Sequence, residues 1–310
     1  MERGLAGIAA TVLGVALMLA GGCKAKTHVE PEETFLYRER ACESGDMPRC
    51  NSLGVMYYKA RDPVRAAALF ELACTGKILE ACTNLGVLYE DGTKGYGTGP
   101  HHVAKDTLKA VALYEQACKG GAMAGCAKLG YMYLIGSGVA EDRLKAVALY
   151  EQACKGGAMA GCVELGNAYE KGFKMAKDEI KAVALYEQAC KGGDLYGCSE
   201  LGLMYQFGNG VARDELKARA IYEQACTRGS MRGSMRACSN LSQMYTYGDG
   251  MAKDPQKAHA LYQQACTGGD WEGCQYLGDI YEYGNGVAKD PAKAAAFVEQ
   301  ARQAQLADKL

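Results

Sequence analysis

The fold is decided by residues 109–126, KAVALYEQACKGGAMAGC, and by the copies of this stretch along the chain. Its first ten residues place four apolar side chains at the i, i+3, i+4 and i+7 positions of one helix face: Ala110, Leu113, Tyr114 and Ala117. Two glycines follow shortly, and a second cysteine stands eight residues after the first. The stretch therefore predicts one helix, called helix B here, then a short turn and the start of an antiparallel helix A.

Local residues mark where the two helices begin. Aspartate precedes proline at 62–63, 254–255 and 290–291, an N-cap acceptor followed by a residue that fits the first turn of a helix B. Helix A is exemplified by residues 126–133, CAKLGYMY, in which Gly130 is small enough for a neighbouring backbone to come close. Each repeat is therefore predicted to be one pair of helices.

Fourteen of the fifteen cysteines repeat the spacing of this stretch. Six pairs are eight residues apart, and the seventh is twelve apart because residues 228–231 (RGSM) recur at 232–235, which we expect to be a loop insertion. The first members of the pairs recur at intervals of 32, 44, 36, 36, 36 and 40 residues, so the basic period is 36. Such a period predicts a helical solenoid. The pairs are Cys42 and Cys50, Cys74 and Cys82, Cys118 and Cys126, Cys154 and Cys162, Cys190 and Cys198, Cys226 and Cys238, and Cys266 and Cys274.

We expect one local disulfide in each repeat. Two antiparallel helices joined by so short a turn bring the cysteines of a pair within the Cα separation that a disulfide requires. In the chain-entropy model each such bond stabilises the fold by about 2–3 kcal/mol. Structural zinc is disfavoured by the eight-residue gaps and by a total of four histidines. Disulfides persist in oxidising compartments, so the cysteines indicate a protein of the cell envelope or a secreted one.

The amino-terminal residues are those of an exported protein. A charged start is followed by an uncharged run at residues 5–20, which is short for a membrane span. Residues 19–23, LAGGC, resemble the lipobox of bacterial lipoproteins, which makes Cys23 the expected lipid carrier; Lys24 after it implies an outer-membrane destination. An ordinary cleaved signal and an uncleaved anchor are the alternatives.

Three segments are predicted from these patterns. Residues 1–22 form a lipoprotein-type signal peptide, and residues 23–35 form a polar tether. Residues 36–310 form the repeat array. The array ends in a capping helix, because Arg302 stands where the other B helices carry their cysteine.

The repeats resemble a known family. Leu-Gly-x-x-Tyr, Gly-x-Gly-Val, Asp, Lys-Ala and Tyr-x-x-Ala-Cys recur over about residues 36–302 and are similar to the Sel1-like repeat. The cysteine pairs resemble the Helicobacter cysteine-rich protein subfamily. This resemblance implies an all-α, right-handed αα superhelical solenoid similar to TPR arrays, whose members mostly act as scaffolds. Cysteine-rich members have been described as penicillin-binding proteins and weak β-lactamases.

Candidate binding residues come from comparing the copies. Leu and Tyr are fixed three and seven residues after the cysteine of helix A and are expected in the core, whereas the first, fifth and eighth residues vary and are expected on one open face. In stacked helical repeats helix A lines the concave surface. We therefore expect a protein or peptide partner to contact four of the fifth-position residues, Tyr131, Asn167, Gln243 and Asp279. Drift without function would produce the same variation.

The sequence names no catalytic residue, metal ligand or cofactor site. A serine β-lactamase needs Ser-x-x-Lys with Ser-Asp-Asn and Lys-Thr-Gly, and none of these occurs in the chain. The only adjacent histidines are His101 and His102, which we interpret as a solvated loop. The favoured function is a scaffold and not an enzyme. A protein that binds a β-lactam or a peptidoglycan-derived ligand, with weak β-lactam hydrolysis, is the alternative, and a structural or redox-buffering role is a weaker one.

The charge balance excludes one partner class. The chain has 35 basic and 36 acidic residues, and a nucleic-acid-binding face needs an excess of clustered Lys and Arg. Contact with a membrane is expected only through the lipid on Cys23.

Overall fold

The computed structural model describes residues 32–92, 102–173, 176–228 and 232–308. Within these ranges the chain forms fifteen α-helices and no strand, which confirms the predicted all-α repeat solenoid. Two compact units are distinguished, Met1–Tyr37 and Arg38–Leu310, and the repeat helices from the second onward lie in the latter. The predicted signal peptide and Cys23 lie outside the described residues.

B helices and A helices alternate along the chain. The B helices are α1 (Glu32–Glu43), α3 (Pro63–Thr75), α5 (Thr107–Lys119), α7 (Arg143–Lys155), α9 (Glu179–Lys191), α11 (Glu215–Cys226), α13 (Pro255–Thr267) and α15 (Pro291–Asp308). The A helices are α2 (Met47–Lys59), α4 (Leu79–Asp91), α6 (Met123–Ile135), α8 (Met159–Lys171), α10 (Leu195–Phe207), α12 (Arg232–Tyr247) and α14 (Trp271–Tyr283).

Seven disulfides close the turns from helix B to helix A, one per repeat as predicted. Their Cα–Cα distances are 4.5 to 4.8 Å. The pair with the longer sequence separation, Cys226 and Cys238, has the same Cα geometry as the others. The disulfide therefore constrains the turn at the same place in every repeat.

The duplicated RGSM segment differs from the expectation. Its second copy, residues 232–235, is helical and belongs to α12, which has 16 residues where the other A helices have 13. The Ser234 hydroxyl donates to the carbonyls of Ala225 and Cys226, 2.8 and 3.0 Å away, and so ties the added turn to the end of α11. The interpretation as a loop insertion is thus wrong for this copy, because these carbonyls at the end of α11 fix the added turn.

The loops from helix A to helix B are closed by an aspartate and a tyrosine in seven repeats. The carboxylate of the aspartate accepts a hydrogen bond at 2.9 to 3.1 Å from the backbone N–H three residues on, as predicted for an N-cap. Its own backbone N–H donates to the carbonyl of the fixed tyrosine at 2.8 to 3.0 Å. The Lys or Arg three residues after the aspartate lies over the ring of that tyrosine, 4.0 to 5.4 Å from its centre.

Six of the seven A helices pack closely on the following helix B through a glycine, and α12 has Ser242 at this place. A Cβ at Gly130 would lie 2.7 Å from a ring carbon of Tyr150, which confirms the predicted close approach. The tyrosines at this place in helix B are at most 1% exposed: Tyr114, Tyr150, Tyr186, Tyr222 and Tyr262. These rings form the centre of the core, and the fixed tyrosines of helix A lie mostly at its edge.

A second glycine joins most repeats to the next. The first residue of α6, Met123, packs against Gly156 in the turn after α7, where a Cβ would clash with the methionine side chain. The same contact joins Met47 to Gly76, Leu79 to Gly120, Met159 to Gly192 and Met235 to Gly268. These five joints are therefore nearly identical, and the joint from α10 differs because Arg228 stands in the place of the glycine.

Candidate functional site

The three variable positions in helix A differ in how far their side chains are exposed. The residues directly after the cysteine are mostly buried: Thr83, Val163, Ser199 and Ser239 are at most 6% exposed. At the eighth position, Glu90 is 9% and Gln206 4% exposed. The expectation of an open face is thus wrong for the first position, because its side chains pack between helices, whereas the eighth position is buried in these two repeats and exposed at Tyr58 and Glu282. The fifth position stays half-buried or exposed in all seven repeats.

The eighth position is held by the buried tyrosine of helix B. The Tyr114 hydroxyl donates to Glu90 at 2.5 Å, and the Tyr222 hydroxyl donates to Gln206 at 3.2 Å. Burial and the neighbouring carboxylate of Glu90 both raise the pKa of Tyr114, so it stays protonated and remains a donor. In these two repeats, variation at this position therefore changes the partner of a core hydroxyl.

Two of the predicted contact residues lie apart from the rest. The Tyr131 side chain on α6 is 40% exposed. Asn167 on α8 is half-buried, and both ends of its amide are used within the chain: its oxygen accepts from the Tyr186 hydroxyl at 2.7 Å, and its nitrogen donates to Glu164 at 3.3 Å. Asn167 thus holds the core hydroxyl of the following helix B.

The other two predicted residues, Gln243 and Asp279, line one cleft. Its volume is about 410 Å³, and residues of α10, α12 and α14 form its walls. The lining residues are Leu203, Arg236, Asn240, Gln243, Trp271, Glu272, Gln275, Tyr276 and Asp279. The cleft offers amides, aromatic rings and charges within one concave site, the mixture by which protein pockets orient a ligand.

Arg236 is fixed on one side of the cleft by α10. Its guanidinium pairs with Glu200 at 3.2 Å, donates to the Tyr196 hydroxyl at 3.1 Å and lies 5.0 Å from the centre of that ring. Burial raises the pKa of Glu200, and Arg236 opposes the shift. Burial also raises the pKa of Tyr196 to about 12. This positive charge is therefore largely neutralised within the chain.

Two buried donors at the cleft have no acceptor. Asn240 is 5% exposed, and its amide nitrogen lacks a hydrogen-bond partner, although it faces the Tyr222 hydroxyl. The Nε atom of Arg236 is also buried and unpaired. An unpaired buried donor costs about 1–3 kcal/mol, so these two groups gain most from an acceptor oxygen brought by a ligand.

The cleft also contains two acidic side chains of α14. Glu272 and Asp279 both line the cleft, and neither forms an ion pair with a side chain in the described ranges. Burial raises the pKa of Glu272; Arg236 opposes this shift, and Asp270 adds to it. The lining of the cleft therefore carries two carboxylates against one guanidinium, an excess of negative charge.

Trp271 is available to the cleft because the array ends here. The other A helices have Met or Leu at this place, packed on a glycine of the next repeat wherever one follows. After α14 there is no such glycine, since α15 continues as a helix to Asp308. Sequence comparison of the copies missed Trp271, Arg236, Asn240 and Tyr276. A signal was present for Trp271, because the six other copies have Met or Leu at its place, whereas the positions of Arg236, Asn240 and Tyr276 vary throughout the array.

The remaining predictions about sites concern metals and membranes. Among the residues that the structure describes, no three His, Cys, Asp or Glu side chains are arranged to hold a metal ion. His102 is exposed, and His101 lies outside the described residues. No helix within the described ranges is both long and apolar enough to cross a bilayer.

The chain is similar to a family of repeat proteins. The Sel1 repeat model matches seven segments, residues 50–77, 79–121, 124–157, 160–194, 195–230, 236–270 and 271–305. No curated protein matches the chain.

Two solved structures show the same architecture, and a third is similar over part of the chain. A Sel1 repeat protein from Oxalobacter formigenes is 24% identical with a TM-score of 0.64, over 81% of this chain and 96% of that one. The protective antigen c5321 of uropathogenic Escherichia coli, which displays an SLR fold, is 26% identical with a TM-score of 0.56, over 87% of this chain. This chain spans 56% of the length of that antigen. Cysteine rich protein B of Helicobacter pylori is 33% identical over 40% of this chain and 90% of its own, with a TM-score of 0.34.

Proposed function

Because the chain belongs to the Sel1 repeat family, we propose that it is a scaffold of the cell envelope that binds a peptide segment of a protein partner. The binding surface is the open face of the A helices, and the segment is anchored in the cleft between α10, α12 and α14. Gln243 and Asp279 are contact residues, and Tyr131 extends the same series on α6.

The observation that carries the proposal is the composition of the cleft. Asn240, Gln243 and Gln275 offer amide donors and acceptors, and Trp271 and Tyr276 offer aromatic surface. A peptide presents backbone N–H and C=O groups together with side chains, so it needs this combination. Aromatic side chains in a pocket supply much of the binding free energy at protein interfaces.

The rest of the repeat supports rigid presentation of this surface. Each repeat is fixed by a disulfide and by an aspartate cap, and five of the B helices add a buried tyrosine, while the fifth position of helix A varies. A rigid surface loses little conformational entropy when it binds. The scaffold can therefore change its partner through a few side chains without changing its fold.

The location is part of the same proposal. Seven disulfides support an oxidising compartment, where such bonds persist. The lipobox-like segment before Cys23 supports attachment of the chain to the envelope by a lipid. A lipid anchor would hold the array at a membrane and leave the face of the A helices free.

A cross-linking experiment tests the proposal. A photoreactive residue replaces Gln243 in the cleft or, as the control, the exposed Gln152 on a helix B. We expect a discrete protein adduct from position 243 in living cells, suppressed by excess unlabelled chain and by Trp271→Ala. Equal adducts from both positions, or adducts that Trp271→Ala leaves unchanged, would show that the cleft is not the binding surface.

A further inference from the structure

The charge balance of the cleft between α10, α12 and α14 indicates what kind of side chain it accepts. Glu200 is neutralised by Arg236 at 3.2 Å, whereas Glu272 and Asp279 have no ion-pair partner in the described part of the chain. The two are seven residues apart on α14 and so lie on the same face, two turns from each other. A ligand that reaches both meets two carboxylates.

Aromatic rings border the two carboxylates. Tyr276 is stacked on the buried Tyr262, with ring centres 5.0 Å apart and planes 26° apart. This contact fixes the orientation of the Tyr276 ring. Elsewhere in the array the cations that lie over tyrosine rings come from the chain itself, but none of the described cations lies over Trp271. Aromatic faces beside carboxylates are the usual surroundings of a bound ammonium or guanidinium group.

The unpaired donors at the cleft indicate that the ligand also supplies a hydrogen-bond acceptor. Asn240 is nine-tenths buried and its amide nitrogen has no acceptor; the Nε atom of Arg236 also lacks an acceptor, although the Arg236 side chain is 30% exposed. A free metal ion or a simple amine cannot accept these hydrogen bonds. The backbone carbonyl of a peptide can, while a side chain of the same peptide carries the positive charge.

A negatively charged ligand does not fit as well. The guanidinium of Arg236 is already engaged by Glu200 and by the Tyr196 hydroxyl. An acidic ligand would therefore compete with an existing ion pair and would also face Glu272 and Asp279. Like charges in a desolvated pocket disfavour binding strongly.

We propose that the cleft binds a lysine or arginine side chain carried by an extended segment of the partner. Glu272, Asp279, Trp271 and Tyr276 hold the cationic group, and a backbone carbonyl next to it accepts from Asn240 and Arg236. This inference rests on the proposed function, because it specifies which segment of the partner enters the cleft.

Trp271 allows a direct test, because it is the only tryptophan of the chain. The oxidised full chain is titrated with capped pentapeptides of alanine whose central residue is lysine, arginine, norleucine or glutamate, and the emission of Trp271 is recorded. Lysine and norleucine side chains have similar length and apolar surface, so their difference isolates the charge. We expect the lysine and arginine peptides to bind about tenfold more tightly than the norleucine peptide, and the difference to shrink at high salt.

The variants identify the groups that recognise the charge. Glu272→Gln with Asp279→Asn should bring the lysine peptide to the affinity of the norleucine peptide. Glu282→Gln, an exposed position on the same helix, should leave the preference unchanged. Because circular dichroism and the unfolding midpoint check the fold of each variant, a loss of preference is not confused with unfolding.

The outcomes separate this inference from the proposed function. Equal binding of lysine and norleucine, tighter binding of glutamate, or a lack of any saturable Trp271 signal from the lysine and arginine peptides would overturn the cationic site. The peptide-scaffold proposal would still stand if cross-linking from position 243 remained specific. If cross-linking also failed, both would be wrong.

Discussion

The Tyr114 hydroxyl on α5 donates to the Glu90 carboxylate on α4 over 2.5 Å, and both groups are buried. Glu90 also lies 3.7 Å from the ammonium group of Lys128 on the next helix A. The hydroxyl of a core tyrosine thus helps to hold a buried carboxylate that links two repeats. The equivalent Tyr150 is equally buried, but its hydroxyl has no partner, because Leu134 stands at the place of Glu90.

The first prediction concerns these two tyrosines. Tyr114→Phe leaves the carboxylate of Glu90 without its donor and should destabilise the chain by about 1–3 kcal/mol. Tyr150→Phe removes a hydroxyl that is already unpaired, so stability should stay the same or rise by up to about 1 kcal/mol. The unfolding midpoints of both oxidised variants in denaturant provide the comparison. Equal losses would mean that the hydrogen bond to Glu90 contributes nothing.

The second prediction concerns the close packing of helix A on helix B. Gly130→Ala places a methyl group 2.7 Å from the Tyr150 ring and should destabilise the chain by about 1–3 kcal/mol, although alanine is the better helix former. Ser242 occupies the equivalent place in α12, where the packing already accommodates a Cβ, so Ser242→Ala is the matched control. Thermal unfolding measures both changes. A Gly130→Ala variant as stable as the control would contradict the packing argument.

The third prediction concerns pH. Burial raises the pKa of Glu164 above its ordinary value of 4.5; Asn167, Lys171 and Lys128 oppose the shift, and Asp194 adds to it. The folded chain therefore keeps this proton at a pH where the unfolded chain has lost it. Stability should fall as pH rises from about 4.5 through the raised value, and the penalty is complete above it.

Glu164→Gln tests this dependence, because an amide does not titrate. We expect the unfolding midpoint of the variant to fall less with rising pH than that of the parent chain, while Glu282→Gln on the exposed surface follows the parent. Parallel curves for all three proteins would show that Glu164 is not desolvated enough to matter.

The fourth prediction concerns the enzymatic alternative. Within the described lining of the cleft there is no Ser, Cys, Lys or His to act as nucleophile or base for the β-lactam amide. Incubation of the oxidised chain with a chromogenic β-lactam should give no turnover above a reduced and unfolded control. A labelled penicillin should likewise leave no covalent adduct. Turnover that disappears with Trp271→Ala would establish an enzyme in this cleft.

The fifth prediction concerns Cys23. If this residue carries the lipid, the mature chain from bacterial membranes begins at Cys23, and its mass exceeds that of the polypeptide by the attached acyl groups. Cys23→Ser should release the chain from the membrane fraction. A mature chain of unmodified mass would indicate an ordinary cleaved signal, and retention of residues 1–22 would indicate an uncleaved anchor.

The sequence alone predicts the features that are determined by residues close together in the chain. The eight-residue spacing of Cys118 and Cys126 predicts the turn and its disulfide, and the recurrence of this spacing predicts the solenoid. The aspartates before helix B predict the caps, since a cap needs only the next three residues. These features are set within one repeat, and the same pattern occurs in every copy.

Features that depend on how neighbouring helices cross were not predicted. Glu90 varies like a surface residue, but the approach of α5 through Gly86 turns it towards Tyr114. Asn167 was predicted as a contact residue for the same reason and is held by Tyr186. Trp271 was missed because its exposure depends on α15 continuing where the other B helices turn.

The near-identical joints between repeats have an evolutionary consequence. Since Met123 on Gly156 repeats the contact of Met159 on Gly192, recombination that removes or duplicates one whole period inside the array recreates a working joint. Such an exchange does not extend to α14, because Trp271 stands there in place of Met or Leu and has no glycine to pack on. Gene lineages of this protein should therefore gain and lose copies in the middle of the array, while the last three repeats, whose helices α10, α12 and α14 form the cleft, are inherited together.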